Sequence, residues 1–92
     1  LLRRPAPLSA AQHRQQRGIY GLYRDSRNGF PSKIGETGST FAKRIPEHVW
    51  WGNKPFLVSL VPDSEFPVLR DRPTRVAWQD TLIDLFPGVV HG

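Results

Sequence analysis

A chain of 92 residues without a single cysteine must hold itself together by apolar packing around one modest core. Disulfides and thiolate metal sites are excluded, so a bound metal would need oxygen or imidazole ligands, and the redox compartment stays open. With 38% apolar and 23% charged residues the composition is that of a globular domain. No stretch approaches the roughly 18 continuous apolar residues of a membrane span, so no membrane partner is expected. The opening Leu1-Leu2-Arg3-Arg4-Pro5 lacks the apolar core and small-residue cleavage site of a signal peptide. The absence of Met leads to the expectation of a piece cut from a longer polypeptide.

The formal charge of +5 favours an anionic partner, and its distribution is uneven. Arg3, Arg4, Arg14 and Arg17 place four positive charges in residues 1–17, which contain no acid. This stretch is read as a basic, Pro-containing lead-in or linker. Pro5 and Pro7 keep its start extended, and Ser9 is placed to cap a short helix through Ala10, Ala11, Gln12 and Gln16. As a basic arm it suits sequence-independent phosphate contacts; as a linker it is merely solvated.

Residues 18–92 are read as the folded domain. Gly18 to Arg24 is rich in aromatic and branched residues and predicts a strand, with Asp25 to Gly29 as the turn into a second strand, Ser32 to Thr37. Gly38 and Ser39 then break the strand and cap a helix from Thr40, which Pro46 must kink. The apolar run Phe56 to Val61 between Pro55 and Pro62 predicts a third strand. Pro73 and Thr74 open a helix over Arg75 to Phe86, with Val76, Ile83 and Phe86 on one face, Trp78, Leu82 and Leu85 flanking it, and Pro87-Gly88 as the stop. The order predicts an α+β domain, a small three-stranded sheet flanked by helices. Gln79 falls between Val76 and Ile83 on the apolar stripe, where a polar group is costly unless paired, and this suggests an inward-facing polar site.

Gly18-Ile19-Tyr20, then Lys33-Ile34-Gly35 beginning thirteen positions after Tyr20, then Arg44 and His48 one helical turn apart, occur in that order along the chain. This series resembles the paired tripeptides and following helix of the GIY-YIG nuclease superfamily, over residues 18–91. The first tripeptide matches fully and the second in two of three positions. The resemblance implies that Arg44 stabilises charge on the scissile phosphate while Tyr20 and His48 position or deprotonate the nucleophile. It also implies a metal-binding Glu on a later helix, where this chain has Gln79. A neutral amide lacks the charge that suits Mg²⁺ or another divalent cation, so little cleavage is expected from the chain as it stands, whether the Gln is natural or was introduced. Lys33 stands where the second Tyr is expected, where it can bring charge to a phosphate but no aromatic hydroxyl. Glu36 occupies a position where many relatives carry Lys, and His91 stands where an Asn usually closes the core. Lys43 and His91 are taken as substrate-binding.

The expectation is therefore a metal-dependent endonuclease hydrolysing nucleic-acid phosphodiester bonds, DNA favoured over RNA. The fragment character and lead-in suggest the C-terminal effector domain of a secreted antibacterial toxin, acting in a target cell's cytoplasm and matched by a cognate immunity protein. Two other readings compete with it. One is a catalytically dead nucleic-acid-binding module on the same scaffold, held by Arg44, Lys43 and the basic arm. The other is a protein-interaction domain displaying Trp50 and Trp51, of which one is expected to pack inside.

Overall fold

The computed structural model describes residues 5–24, 31–51, 57–86 and 90–91. Three antiparallel strands form an α+β domain's sheet: β1 (Gly18–Tyr23) lies between β3 (Leu57–Pro62) and β2 (Lys33–Thr37). A two-residue β4 (Val90–His91), absent from the sequence expectation, extends the sheet by pairing parallel to β2. The expected turn at Asp25–Gly29 and the Pro87-Gly88 helix stop lie outside the described residues.

Every residue of β1 is buried, as suits the central strand of a sheet covered on both faces. Alternation along that strand divides the interior in two. Tyr20 and Leu22 join Val58 and Leu60 on one face, under Ala11, Phe41 and Ile45. Ile19, Ile34 and Val61 line the other face, under Leu69 and Leu82. The first face is covered by α1 (Phe41–Arg44) and the 3-10 helix Ile45–Trp51 that continues it. The second is covered by the 3-10 turn Pro67–Arg70 and α2 (Arg72–Leu85).

The lead-in differs from the expected free arm. Ala6 and Val58 exchange two backbone hydrogen bonds of 3.0 and 2.7 Å, which docks the segment on the outer edge of β3. The helix expected after Ser9 is reduced to a 3-10 turn, Leu8–Ala10, with Ser9 inside it. The carbonyls of Arg14 and Gln16 accept instead from the amides of Ala42 and Phe41, at 2.7 and 2.8 Å. They satisfy first-turn donors of α1 that have no partner within their own helix, so the segment serves a neighbouring helix rather than forming one.

Helix α2 begins earlier than expected because Asp71 is its cap, accepting from the Thr74 amide and hydroxyl at 3.1 and 2.7 Å. Its buried stripe is Arg75, Gln79 and Leu82, one residue round from the apolar stripe read in the sequence, while Leu85 is 66% exposed. Arg75 is the cause. Its Nε donates to Glu36 on β2 at 2.9 Å, and its Nη1 donates to the carbonyls of Leu69 and Arg70 at 3.0 Å each. A methyl group on Gly38 would fall 2.7 Å from Nη2, so that glycine leaves room for the guanidinium. Replacing Arg75 by Leu strands a half-buried carboxylate and two carbonyls, and should cost about 3 kcal/mol. Urea denaturation checks this; a midpoint unchanged from the parent protein would show that the ion pair contributes nothing net.

Candidate functional site

Tyr20 sits at the centre of β1 opposite Gly35 of β2, in antiparallel register. The pairing needs the glycine: a Cβ at position 35 would lie 2.4 Å from both the hydroxyl oxygen and Cζ of Tyr20. The phenol therefore lies across the β2 backbone and reaches the segment beyond α1. Thr40 caps that helix, its hydroxyl accepting from the Lys43 amide at 3.2 Å. The α-helix lasts one turn and gives way at Ile45 to a 3-10 helix around Pro46, kinked at His48 (φ −85°, ψ 24°), which realises the expected kink. The kink carries His48 inward. Its Nε2 and the Tyr20 hydroxyl share a buried hydrogen bond of 3.0 Å, with the two rings edge-on and their centroids 5.8 Å apart. Phe41 closes the other side of the Tyr20 ring, also edge-on, at 6.4 Å.

Two cations act on this pair. Lys33 is buried on β2, on the same face as Gly35 two residues along. Arg44 keeps 32% of its side chain exposed and forms a loose ion pair of 3.7 Å with Glu47, of the kind that contributes little to stability. Burial first, then the positive charges of Arg44 and Lys33, hold the His48 imidazole below its ordinary pKa. Burial raises the Tyr20 phenol above its ordinary value, partly opposed by Arg44. Burial and Arg44 together lower the Lys33 ammonium. At neutral pH the pair is thus a protonated phenol beside a neutral imidazole.

A neutral imidazole allows two tautomers, and the direction of the bond follows from which is present. If the Tyr20 O–H donates to Nε2, the imidazole proton sits on Nδ1. Nδ1 is buried and has no hydrogen-bond partner among the described residues. An unmet donor of this kind costs about 1–3 kcal/mol and is compensated when an acceptor arrives.

The residues expected to form the site are thus only partly assembled. Tyr20, Lys33, Arg44 and His48 share one side of the sheet. Lys43 is exposed on α1. His91 places its backbone on β4 beside Ile34, and its side chain, with those of Trp50 and Trp51, lies outside the described residues. Gln79 is buried as expected, but on the helix that covers the opposite face. Its neighbours on the buried stripe are Arg75, held by Glu36, and Leu82, packed with Ile19 and Ile34. The stripe that carries Gln79 thus packs toward the Ile19 and Ile34 face, while Tyr20, Lys33, Arg44 and His48 belong to the other.

The surroundings of Gln79 do not suit Mg²⁺. Its amide is neutral, the guanidinium of Arg75 lies one turn away on the same stripe, and the carboxylate that β2 offers on that face, Glu36, is already bound by Arg75 at 2.9 Å. Among the described residues no group of three or more His, Asp or Glu converges. Sequence reasoning missed Arg75, Glu36 and Gly38 as a unit, because a charged residue on a helix reads as surface unless its partner on another element is known. A cleft of about 220 Å³, bordered among others by Ala6, Gln12, His13 and Leu60, lies at the outer edge of β3, across β1 from Lys33. Comparison with protein-family models, curated proteins and solved structures finds no match for this chain.

Because the folded state holds His48 neutral, the unfolded chain binds this proton first as pH falls. The stability it confers is complete above about pH 6.5 and is lost as pH falls from there through the lower folded-state value. Urea midpoints should therefore fall more between pH 7.5 and pH 5 for the parent protein than for His48→Gln. Equal slopes would show that His48 titrates as an exposed histidine does.

Proposed function

We propose that this domain cleaves phosphodiester bonds in nucleic acid. The reading rests on one observation above all, the buried 3.0 Å contact between the Tyr20 hydroxyl and His48 Nε2 in the field of Arg44 and Lys33. A phosphodiester carries one negative charge and gains another as it becomes five-coordinate, and two cations on one side of the sheet answer that demand. Arg44, the more accessible of the two, holds the phosphate; Lys33 lies deeper and follows the reacting oxygens.

The paired side chains move the proton. As an attacking hydroxyl yields its proton to the Tyr20 oxygen, Tyr20 passes its own to Nε2 of His48. The depressed imidazole pKa keeps Nε2 free to accept across neutral pH, and the raised phenol pKa keeps Tyr20 from losing its proton to bulk water beforehand. The Nδ1–H, left without a described partner, turns toward a phosphoryl oxygen and strengthens as the ring becomes positive. Tyr20 is 0% and His48 3% exposed, so substrate must open the cover over them on binding. Catalytic hydrogen bonds in free enzymes commonly take their working geometry only in the complex.

The binding-module reading has its own support, since Gln79 stands apart from the pair and both members of the pair are covered. Rate and affinity separate the two. Tyr20→Phe should lower cleavage of labelled nucleic acid about 100-fold while changing its binding little. Arg44→Ala should weaken both. If the parent protein binds nucleic acid in an anisotropy titration, Tyr20→Phe binds equally, and neither cuts DNA or RNA with or without divalent metal, the domain is a binder and the proposal fails.

A further inference from the structure

The donor set at the site narrows the substrate, provided that the site cleaves phosphodiesters as proposed above. Hydrolysis of DNA needs water to be activated from outside and a poor alkoxide leaving group to be stabilised, work that a divalent cation held by carboxylates usually performs. Of the two carboxylates near the pair, Glu36 is bound by Arg75 at 2.9 Å, which leaves Glu47, loosely paired with Arg44 at 3.7 Å, and a single carboxylate beside two cations is a poor seat for a divalent ion. What the site does assemble is two cations and a proton-accepting pair. That set suffices for phosphodiester cleavage when the nucleophile is already fixed beside the phosphorus.

Two oxygens meet that description. One is the Tyr20 hydroxyl itself, attacking to form a phosphotyrosine. Its surroundings oppose this, because burial keeps the phenol protonated and its oxygen is engaged by His48. The other is the ribose 2′-hydroxyl of RNA, whose covalent attachment one carbon from the phosphate ester replaces the positioning that a metal or a binding cleft would provide.

We propose that the substrate is RNA, and that the site cleaves it without a metal by attack of the ribose 2′-oxygen on the adjacent phosphorus. The 2′-oxygen forms a bond to phosphorus as its proton passes to Tyr20 and the Tyr20 proton passes to His48 Nε2. The bond from phosphorus to the 5′-oxygen of the next nucleotide breaks, and that oxygen takes a proton from the Lys33 ammonium. The products are a 2′,3′-cyclic phosphate and a 5′-hydroxyl. His48 returns its proton and Lys33 regains one through solvent, so the protein ends unchanged and no oxidant, reductant or external nucleophile is consumed. Arg44 stays on the non-bridging oxygens throughout. The lowered basicity of Lys33 makes its ammonium a better acid for this role. This departs from the expectation of a DNA substrate.

The test uses the full chain in excess EDTA with end-labelled random-sequence RNA, the same RNA fully 2′-O-methylated, and the matching DNA. RNA alone should be cut, leaving cyclic phosphate and 5′-hydroxyl ends. Lys33→Ala should slow that cleavage about 100-fold or more, and a substrate with sulphur in place of the 5′-bridging oxygen should restore most of the loss, because a thiolate leaves without an acid. Full loss on the sulphur substrate, in a variant with the parent's circular dichroism, would remove Lys33 from the acid role and overturn the proposal. DNA or 2′-O-methyl RNA cleaved only with Mg²⁺, cleavage that appears only in Gln79→Glu, or a protein–nucleic acid adduct at Tyr20 would each overturn it while leaving the nuclease reading standing. No cleavage of any substrate, with or without metal, would remove the nuclease reading itself and this proposal with it.

Discussion

The phenol of Tyr20 lies across a bare backbone. Because Gly35 has no side chain, a ring on the central strand can extend over the neighbouring strand and meet a histidine supplied from beyond α1. Much of the domain follows from that contact. It requires β1 and β2 to pair with Tyr20 opposite Gly35, requires the chain after α1 to tighten so that His48 turns inward, and requires Phe41 to close the far side of the ring. A shift of the register by one residue would put Ile34 or Glu36 opposite Tyr20 and turn the phenol to the other face. The site and the fold are in this sense one constraint.

The two faces of the sheet carry different kinds of polar group. On the Tyr20 face the polar atoms are few, buried and poised: a phenol, a neutral imidazole and a lysine whose pKa is lowered, near an arginine that remains partly in solvent. On the α2 face the Arg75 guanidinium meets a carboxylate and two carbonyls and makes a rigid bond between helix, 3-10 turn and β2. The first arrangement leaves the Nδ1 atom of the imidazole without a described partner. The second is saturated, and its role is to fix where α2 sits against the sheet.

Much of the scaffold was legible in the sequence because it follows from local patterning. β1, β2 and β3 lie within a residue or so of where branched and aromatic runs placed them, and Pro46 announced the kink that turns His48 inward. Tyr20, Lys33, Arg44 and His48 were singled out by the resemblance of the paired tripeptides and following helix to a nuclease family. What spacing could not supply is which side of the sheet each helix would cover. The apolar stripe of α2 correctly turned Gln79 inward, yet inward for that helix means the Ile19 and Ile34 face. That depends on the path of the chain between β3 and α2. Arg75 escaped notice for a related reason, since burying a guanidinium depends on Glu36, 39 residues away. The docking of the lead-in was not legible, because Pro and Arg content describes a solvated segment, while its backbone carbonyls, invisible in composition, cap α1.

The account stands or falls on the protonation state of one ring. In a protein labelled with ¹⁵N at histidine, the two ring nitrogens of His48 report the tautomer directly. At neutral pH, Nε2 should show the shift of an unprotonated, hydrogen-bond-accepting nitrogen and Nδ1 that of a protonated one. Both should move toward imidazolium values only below about pH 6.5, the ordinary midpoint of a histidine. A protonated Nε2 at neutral pH, or an imidazolium that persists above pH 6.5, would mean that His48 cannot take the Tyr20 proton, and the proton-handling pair at the centre of the account would not exist.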